Sequence, residues 1–486
     1  HLVQLPWTFN SIWRGDVLIN LVLADKRIRR SFLGISASVF LGVVSGTSPV
    51  QAQTLADALA AAYLNNPTLL VARAGLRATD EGVPQAIANW RPDVSLTTDV
   101  GFSQITNTRN TGSNIEQTRQ PKSYGVSVTQ PLFRGGRTLA ATSEAEHAVR
   151  AARARLMSTE QTVLQSGVTA FMNVFRDQAV LRLNINNQQV LKRQLEATRD
   201  RFEVGEITRT DVHQAEARLA RAVADRIQSE GDLETSRANY GNIIGEKVPG
   251  ELQMPSPTVN LPESKADALK VAATKNPDVI GAEFDRRAAL DNADEVWGEL
   301  LPTVELTGSW TRDFQSAAEC CKTTTTALTL DVTIPIYQQG AVYSRLREAR
   351  QDAAELTLII DQERRDAVEA ADAAWESLLT ARARVKAFTT QIDANAVALE
   401  GVQREAAVGS RTVLDVLDAE QELLDSRVSN VRAQRDEAVA IYQLLSSVGQ
   451  LTARDLELPV TRYDPREHYK EVRGKWFGGK SQGGVK

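Results

Sequence analysis

Two stretches decide the fold: VGEITRTDVHQAE at 204–216 and VGSRTVLDVLDAE at 408–420. Val-Gly, Asp-Val and Ala-Glu recur in the same order at an offset of 204. The offset holds outward from there. Pro131 recurs as Pro335, Gly136 as Gly340 and Gly245 as Gly449. Asn66-Pro67 recurs as Asn276-Pro277, and Pro92 as Pro302, at an offset of 210. The six-residue difference falls between Pro92 and Pro131, where the first copy has a longer loop. Chance does not hold one offset across so many landmarks, so the chain of 486 residues is one unit written twice. The first copy spans 53–248 and the second 263–455, with a Pro- and Ser-rich linker at 249–262. Residues 456–486 are polar and Gly-rich near the end, and are expected to be a flexible tail.

Proline placement divides each copy. None occurs from 132 to 248 or from 336 to 458, so long helices are open to both stretches. In the second, Val368, Ala371, Trp375, Leu378, Arg382, Val385, Thr389, Ile392, Ala396 and Leu399 alternate three and four apart. That is a coiled-coil seam with two polar exceptions. The spacing predicts long helices over 136–204 and 340–408, roughly 100 Å each. A second helix follows each Val-Gly break, and a leading helix of about 36 residues opens each copy, at 54–89 and 264–299. Pro84 is expected to kink the first.

Four strands are predicted between leading and long helices, at about 93–103, 123–133, 303–312 and 327–337. Val94, Leu96 and Val100 alternate with Ser95, Thr97 and Asp99, and Leu328, Leu330 and Val332 with Thr329 and Asp331. Each strand has one apolar face and one small polar or acidic face. A half-buried soluble sheet would alternate too. A membrane barrel is favoured by aromatics at the strand ends (Phe102, Tyr124 and Trp310; Phe133 and Tyr337) and by long polar loops at 103–122 and 313–326. A lipid-embedded sheet must close, and four strands are too few, so the chain must oligomerise.

Targeting points the same way. Lys26, Arg27, Arg29 and Arg30 precede an apolar run from Phe32 to Val44 and a small-x-small site at Val50-Gln51-Ala52. These features make 26–52 a secretory signal, with 1–25 upstream sequence. Residues 1–52 hold five basic and two acidic side chains, so their removal takes the net charge from −5 to −8. This acidity argues against nucleic acid as a partner. No apolar run of 18 or more residues occurs, which excludes a helix bundle in the membrane but not a barrel. Cys320 and Cys321 are adjacent, without metal-ligand spacing.

These landmarks together resemble the TolC-type outer-membrane efflux and secretion ducts. The likeness rests on Asn66-Pro67 after an Ala-rich start, Arg91-Pro92-Asp93-Val94, Gln130-Pro131-Leu132-Phe133 before Gly135-Gly136, Val-Gly followed by Thr and Asp-Val, and the duplication, over about 54–455. The resemblance implies a mainly α chain with a β-barrel portion. Three copies would form a twelve-stranded outer-membrane barrel, embedded in outer-membrane lipid and continued by a periplasmic helical tunnel. It also implies partners: an inner-membrane transporter and a periplasmic adaptor, for type I protein secretion or multidrug efflux. A periplasmic adaptor or a structural coiled-coil protein is the alternative, although neither needs four amphipathic strands in duplicate.

Chemistry is sparse. GKWFGGKS at 474–481 matches the phosphate-loop pattern but has only five residues after it, too few for the required helix. His1, His147, His213 and His468 are scattered, and no catalytic, cofactor or metal site can be read. Asp415 and Asp418, three apart, share one face of the last helix. Thr412-x-x-Asp415 is also a capping box, repeated as Thr208 and Asp211, whereas Asp418 has Gln214 as its counterpart. In the family, the positions matching Asp415 and Asp418 ring the periplasmic entrance, where threefold symmetry would gather six carboxylates and favour cations. Arg411 matches the family's basic partner in the links that shut the entrance, and Thr210 and Asp211 match the acceptors. Ala406 stands where the family has a tyrosine, so one link is missing.

Overall fold

The structure is a computed structural model that describes residues 54–108, 114–248, 250, 252–255, 260–316 and 321–479. The signal segment, Cys320, Lys480 and Ser481 lie outside the described residues. The first repeat runs α1 (Leu55–Asn65), α2 (Pro67–Asp80), α3 (Gly82–Ala88), β1 (Asp93–Val100), β2 (Ser103–Thr108), β3 (Asn114–Arg119), β4 (Lys122–Arg134), α4 (Arg137–Glu203) and α5 (Arg209–Ile244). The second runs α6 (Lys265–Lys275), α7 (Pro277–Gly298), β5 (Thr303–Phe314), β6 (Lys322–Thr333), α8 (Ala341–Ala407) and α9 (Val413–Ser447), and α10 (Glu467–Val472) follows.

Both long helices have 67 residues. Each starts after a left-handed glycine, Gly136 and Gly340 at φ 78° and 79°. Each ends at the Val-Gly break, where Gly205 and Gly409 take φ 81° and 77°, a conformation that costs a side-chain-bearing residue about 1 kcal/mol or more. The following helices open with the two capping boxes, Thr208 with Asp211 and Thr412 with Asp415.

The leading helices are not continuous. Asn66 and Asn276 each end one helix and cap the next, accepting from Thr68 N and Asp278 N. Pro67 and Pro277 then sit at the first helical position, where a missing N–H leaves nothing unpaired. Pro84 kinks no helix interior. The first leading helix breaks again at Glu81, and Pro84 falls in the first turn of α3.

The sheet order is β1-β4-β5-β6, antiparallel throughout. Its register separates a mainly apolar face from a polar one. Val94, Val128, Gly308 and Leu328 form one row across the four strands, and Leu96, Val126 and Trp310 lie in the next row on that face. Ser95, Ser127, Ser309 and Ala327 form a row on the other face, where the Ser95 and Ser127 hydroxyls meet at 2.7 Å. Strand limits differ from expectation. β1 stops at Val100, and the supposed polar loop 103–122 contains the β2–β3 hairpin, because a polar ribbon needs no apolar alternation when both faces meet water. β6 starts at Lys322 and ends at Thr333, so its threonine run pairs with β5 and shortens the β5–β6 loop.

One apolar cluster joins both repeats, built around Phe171, Met172, Tyr240, Ile441 and Leu444 with α1 and α6 packed against it. Over its described residues the tail packs against the first repeat. Leu451, Ala453 and Leu458 are buried in this cluster. Tyr463 N donates to Tyr63 Oη at 3.1 Å, and His468 Nδ1 lies 3.2 Å from Asp80 Oδ2 on α2. Arg91 stacks on Trp476 at 4.8 Å and donates to Lys475 O. These partners lie hundreds of residues away in the sequence. Residues 474–479 follow the short α10 rather than a strand, so the phosphate-loop geometry is not built.

Candidate tunnel entrance

The turns after α4 and α8 and the first two turns of α5 and α9 carry every residue expected at the entrance. A second apolar cluster packs there, with Leu191 and Leu195 of α4, Val212 and Ala215 of α5, and Val413 and Leu417 of α9. It ties the two helical hairpins together near their tips. The periodicity produces this directly, since Val413 and Leu417 are one turn apart on the face opposite the capping carboxylate.

Asp415 completes its capping box. Thr412 N donates to Asp415 Oδ2 at 2.9 Å, and Asp415 N donates to Thr412 Oγ1 at 3.2 Å. The hydrogen bond from Thr412 N, then that from its hydroxyl, holds the Asp415 carboxyl below its usual range, so it is charged at neutral pH. Asp211 makes the same box with Thr208. Asp418 is exposed and does not stand alone. It accepts from Arg218 Nη2 of α5, an ion pair across the two hairpins. Arg411 Nε donates to Glu405 Oε2 at 2.8 Å across its own turn. Within one chain, therefore, Arg411 does not meet Thr210 or Asp211, and Thr210 is exposed on the neighbouring turn.

Arg218 and Glu405 are the residues that sequence reasoning missed. Arg218 had a signal. Asp418 stands opposite Gln214 in the repeat, and Arg218 stands opposite Glu422, so both positions are acidic in the second copy while the first supplies an arginine. Further along, Arg199 holds Glu216 at 2.7 Å, with His213 second, and lowers its proton affinity. Glu420 is shifted the other way by burial, although Gln403 donates to it.

The outer membrane efflux protein family model matches residues 58–246 and 268–450, one segment in each repeat. The chain belongs to this family. It is 34% identical over 448 residues to the outer membrane efflux protein BepC of Brucella suis, covering 91% of this chain and 96% of that one. It is 24% identical to the outer membrane protein TolC of Escherichia coli, covering 89% and 88%. Among solved structures, the Campylobacter jejuni CmeC outer membrane channel superposes with a TM-score of 0.72 at 14% identity, covering 91% of this chain and 98% of that one. Vibrio cholerae VceC gives 0.70 at 18%, covering 81% and 96%. The chain is thus an outer-membrane channel protein with the TolC-like fold, and its helical part belongs in the periplasm. The family is one of channels rather than enzymes.

Proposed function

We propose that three copies of the chain form a passive exit duct for efflux. The observation that carries the reading is the open sheet. Among the described residues, β1 and β6 each leave one edge unpaired while presenting apolar residues outward, including Leu96 and Leu328 at 76% and 74% exposure. A hydrocarbon core does not tolerate an unpaired edge, so β6 must meet β1 of another copy. The strands alternate in direction, so that junction is antiparallel, and three copies give twelve strands. Below the barrel, the paired hairpins would narrow to an entrance lined by Asp415 and Asp418, with Arg411, Thr210 and Asp211 forming links between copies. An inner-membrane transporter supplies the energy, and a periplasmic adaptor joins it to the tips.

Efflux of small compounds is the preferred cargo because the 34% identical relative is named an efflux protein. Relatives named for protease secretion, such as PrtF of Dickeya chrysanthemi, are about 25% identical. Deleting the gene in its host tests this. Sensitivity to toxic amphiphiles with secretion intact supports the reading. Loss of a secreted protein without sensitisation contradicts it.

A further inference from the structure

The C-terminal tail builds a cavity that the entrance does not use. It holds about 900 Å³ between α2, α4, α7 and residues 452–466, within the 300–1,000 Å³ range of ligand sites. The family match ends at residue 450, so the tail's wall lies outside the matched segments. Six arginines line it: Arg73, Arg150, Arg153, Arg454, Arg462 and Arg466. Only two carboxylates join them, and both are engaged. Glu160 accepts from Ala453 N at 2.7 Å, and Asp455 accepts from the Thr452 hydroxyl at 2.8 Å.

Arg150 lies 3.7 Å from Glu146, whereas Arg73 and Arg153 are held with less neutralisation. Arg73 is buried, donates to Tyr63 O at 3.1 Å, and lies 4.4 Å and 5.3 Å from the Tyr63 and Tyr463 rings. Those are cation–π contacts, which fix a guanidinium without cancelling its charge. Arg153 lies over Tyr469, and its Nη2 is 4.0 Å from Asp80 Oδ1, too far for a hydrogen bond. Its Nε and Nη2 are buried with no hydrogen-bond partner among the described residues. Buried donors left idle cost free energy unless something accepts from them. Arg454, Arg462 and Arg466 stand exposed at the mouth. Apart from Thr452, the rest of the wall is apolar or aromatic, with Phe284 and Met157 among it.

We propose that this cavity is a binding site for an organic anion, with an acidic group on the arginines and an apolar body against Phe284 and the tyrosines. Planar guanidinium donors suit the oxygens of phosphate, sulfonate or carboxylate, and bind them in bidentate fashion. The occupant would bridge the first repeat, the second repeat and the tail. The assignment is independent of the channel reading, because it uses none of the entrance or barrel residues.

The test is calorimetric titration of the full chain in mild detergent with 1-naphthyl phosphate, inorganic phosphate and 1-naphthol. The expected result is saturable binding of 1-naphthyl phosphate at one site per chain, with each half-molecule at least about tenfold weaker. Arg462→Ala with Arg466→Ala should weaken the ester at least about tenfold, the loss of roughly one charge-assisted hydrogen bond. Both side chains are exposed at the mouth, so this variant keeps the fold. Arg153→Gln gives an interior check with the same expected direction. Equal binding to wild type and both variants would reduce the signal to partition into detergent and overturn the proposal. Equal affinity for 1-naphthol would remove the anion from the assignment, and equal affinity for inorganic phosphate would remove the apolar body.

Discussion

Leu330→Arg should block assembly into the outer membrane, whereas Thr329→Lys, one residue away, should be tolerated. Leu330 lies opposite Leu306 and within the run Leu328, Leu330, Val332, Ile334 and Ile336. It is 60% exposed on the single chain, as a lipid-facing residue must be. An arginine near the bilayer midplane of a barrel costs about 2–4 kcal/mol, which shifts the assembly equilibrium roughly thirty- to several-hundredfold per chain. Three copies multiply the penalty. Thr329 faces the other way, with its hydroxyl directed to Asp331 Oδ2 at 3.2 Å. A lysine there meets water and a carboxylate. The assay is the fraction of each variant found as intact oligomer in purified outer membranes. Val128→Arg should behave like Leu330→Arg, since Val128 lies in the Val94–Leu328 row. Equal damage from Leu330→Arg and Thr329→Lys would refute a lipid-facing sheet.

At the entrance, Asp415→Asn with Asp418→Asn should reduce cation selectivity in planar-bilayer recordings, seen as a smaller reversal potential in a salt gradient. Arg218→Gln should raise it, because it frees Asp418; no change in either would place the selectivity elsewhere. Arg411→Ser should modestly increase conductance, since Ala406 already lacks one family link. Burial raises the Glu160 carboxyl above its ordinary value, so the folded state keeps a proton that the unfolded chain has lost. Stability should therefore fall as pH rises through that window and level off above it, and Glu160→Gln, which still accepts from Ala453 N, should flatten the slope of melting temperature against pH. His468→Ala removes a partner from fully buried Asp80 and should lower stability by about 1–3 kcal/mol, read as a lower melting temperature without loss of oligomer.

The periodic parts of the fold were legible because repetition and period are local. Gly136 and Gly340 bound the long helices, and Val94–Val100 shows its two faces in seven residues. The breaks at Asn66 and Asn276 were visible as Asn-Pro landmarks, yet their role as joint cap and N-terminus depends on how α1 and α6 dock. The β2–β3 ribbon was hidden because Ser103 to Thr106 alternates in no apolar pattern. The tail was hidden for another reason. Its anchors are isolated contacts, Tyr463 N on the Tyr63 hydroxyl and His468 on Asp80, nearly four hundred residues apart. At the entrance, Asp415 and Asp418 could be picked out by spacing and repeat asymmetry. Arg218 and Glu405 became partners only when the hairpins were folded.

The central claim is that one chain supplies a third of a closed barrel. The most direct test is the mass of the conducting particle, measured by native mass spectrometry in mild detergent on the preparation used for bilayer recordings. Three chains per particle is the predicted result. A single chain, or a pair, that still conducts would contradict it.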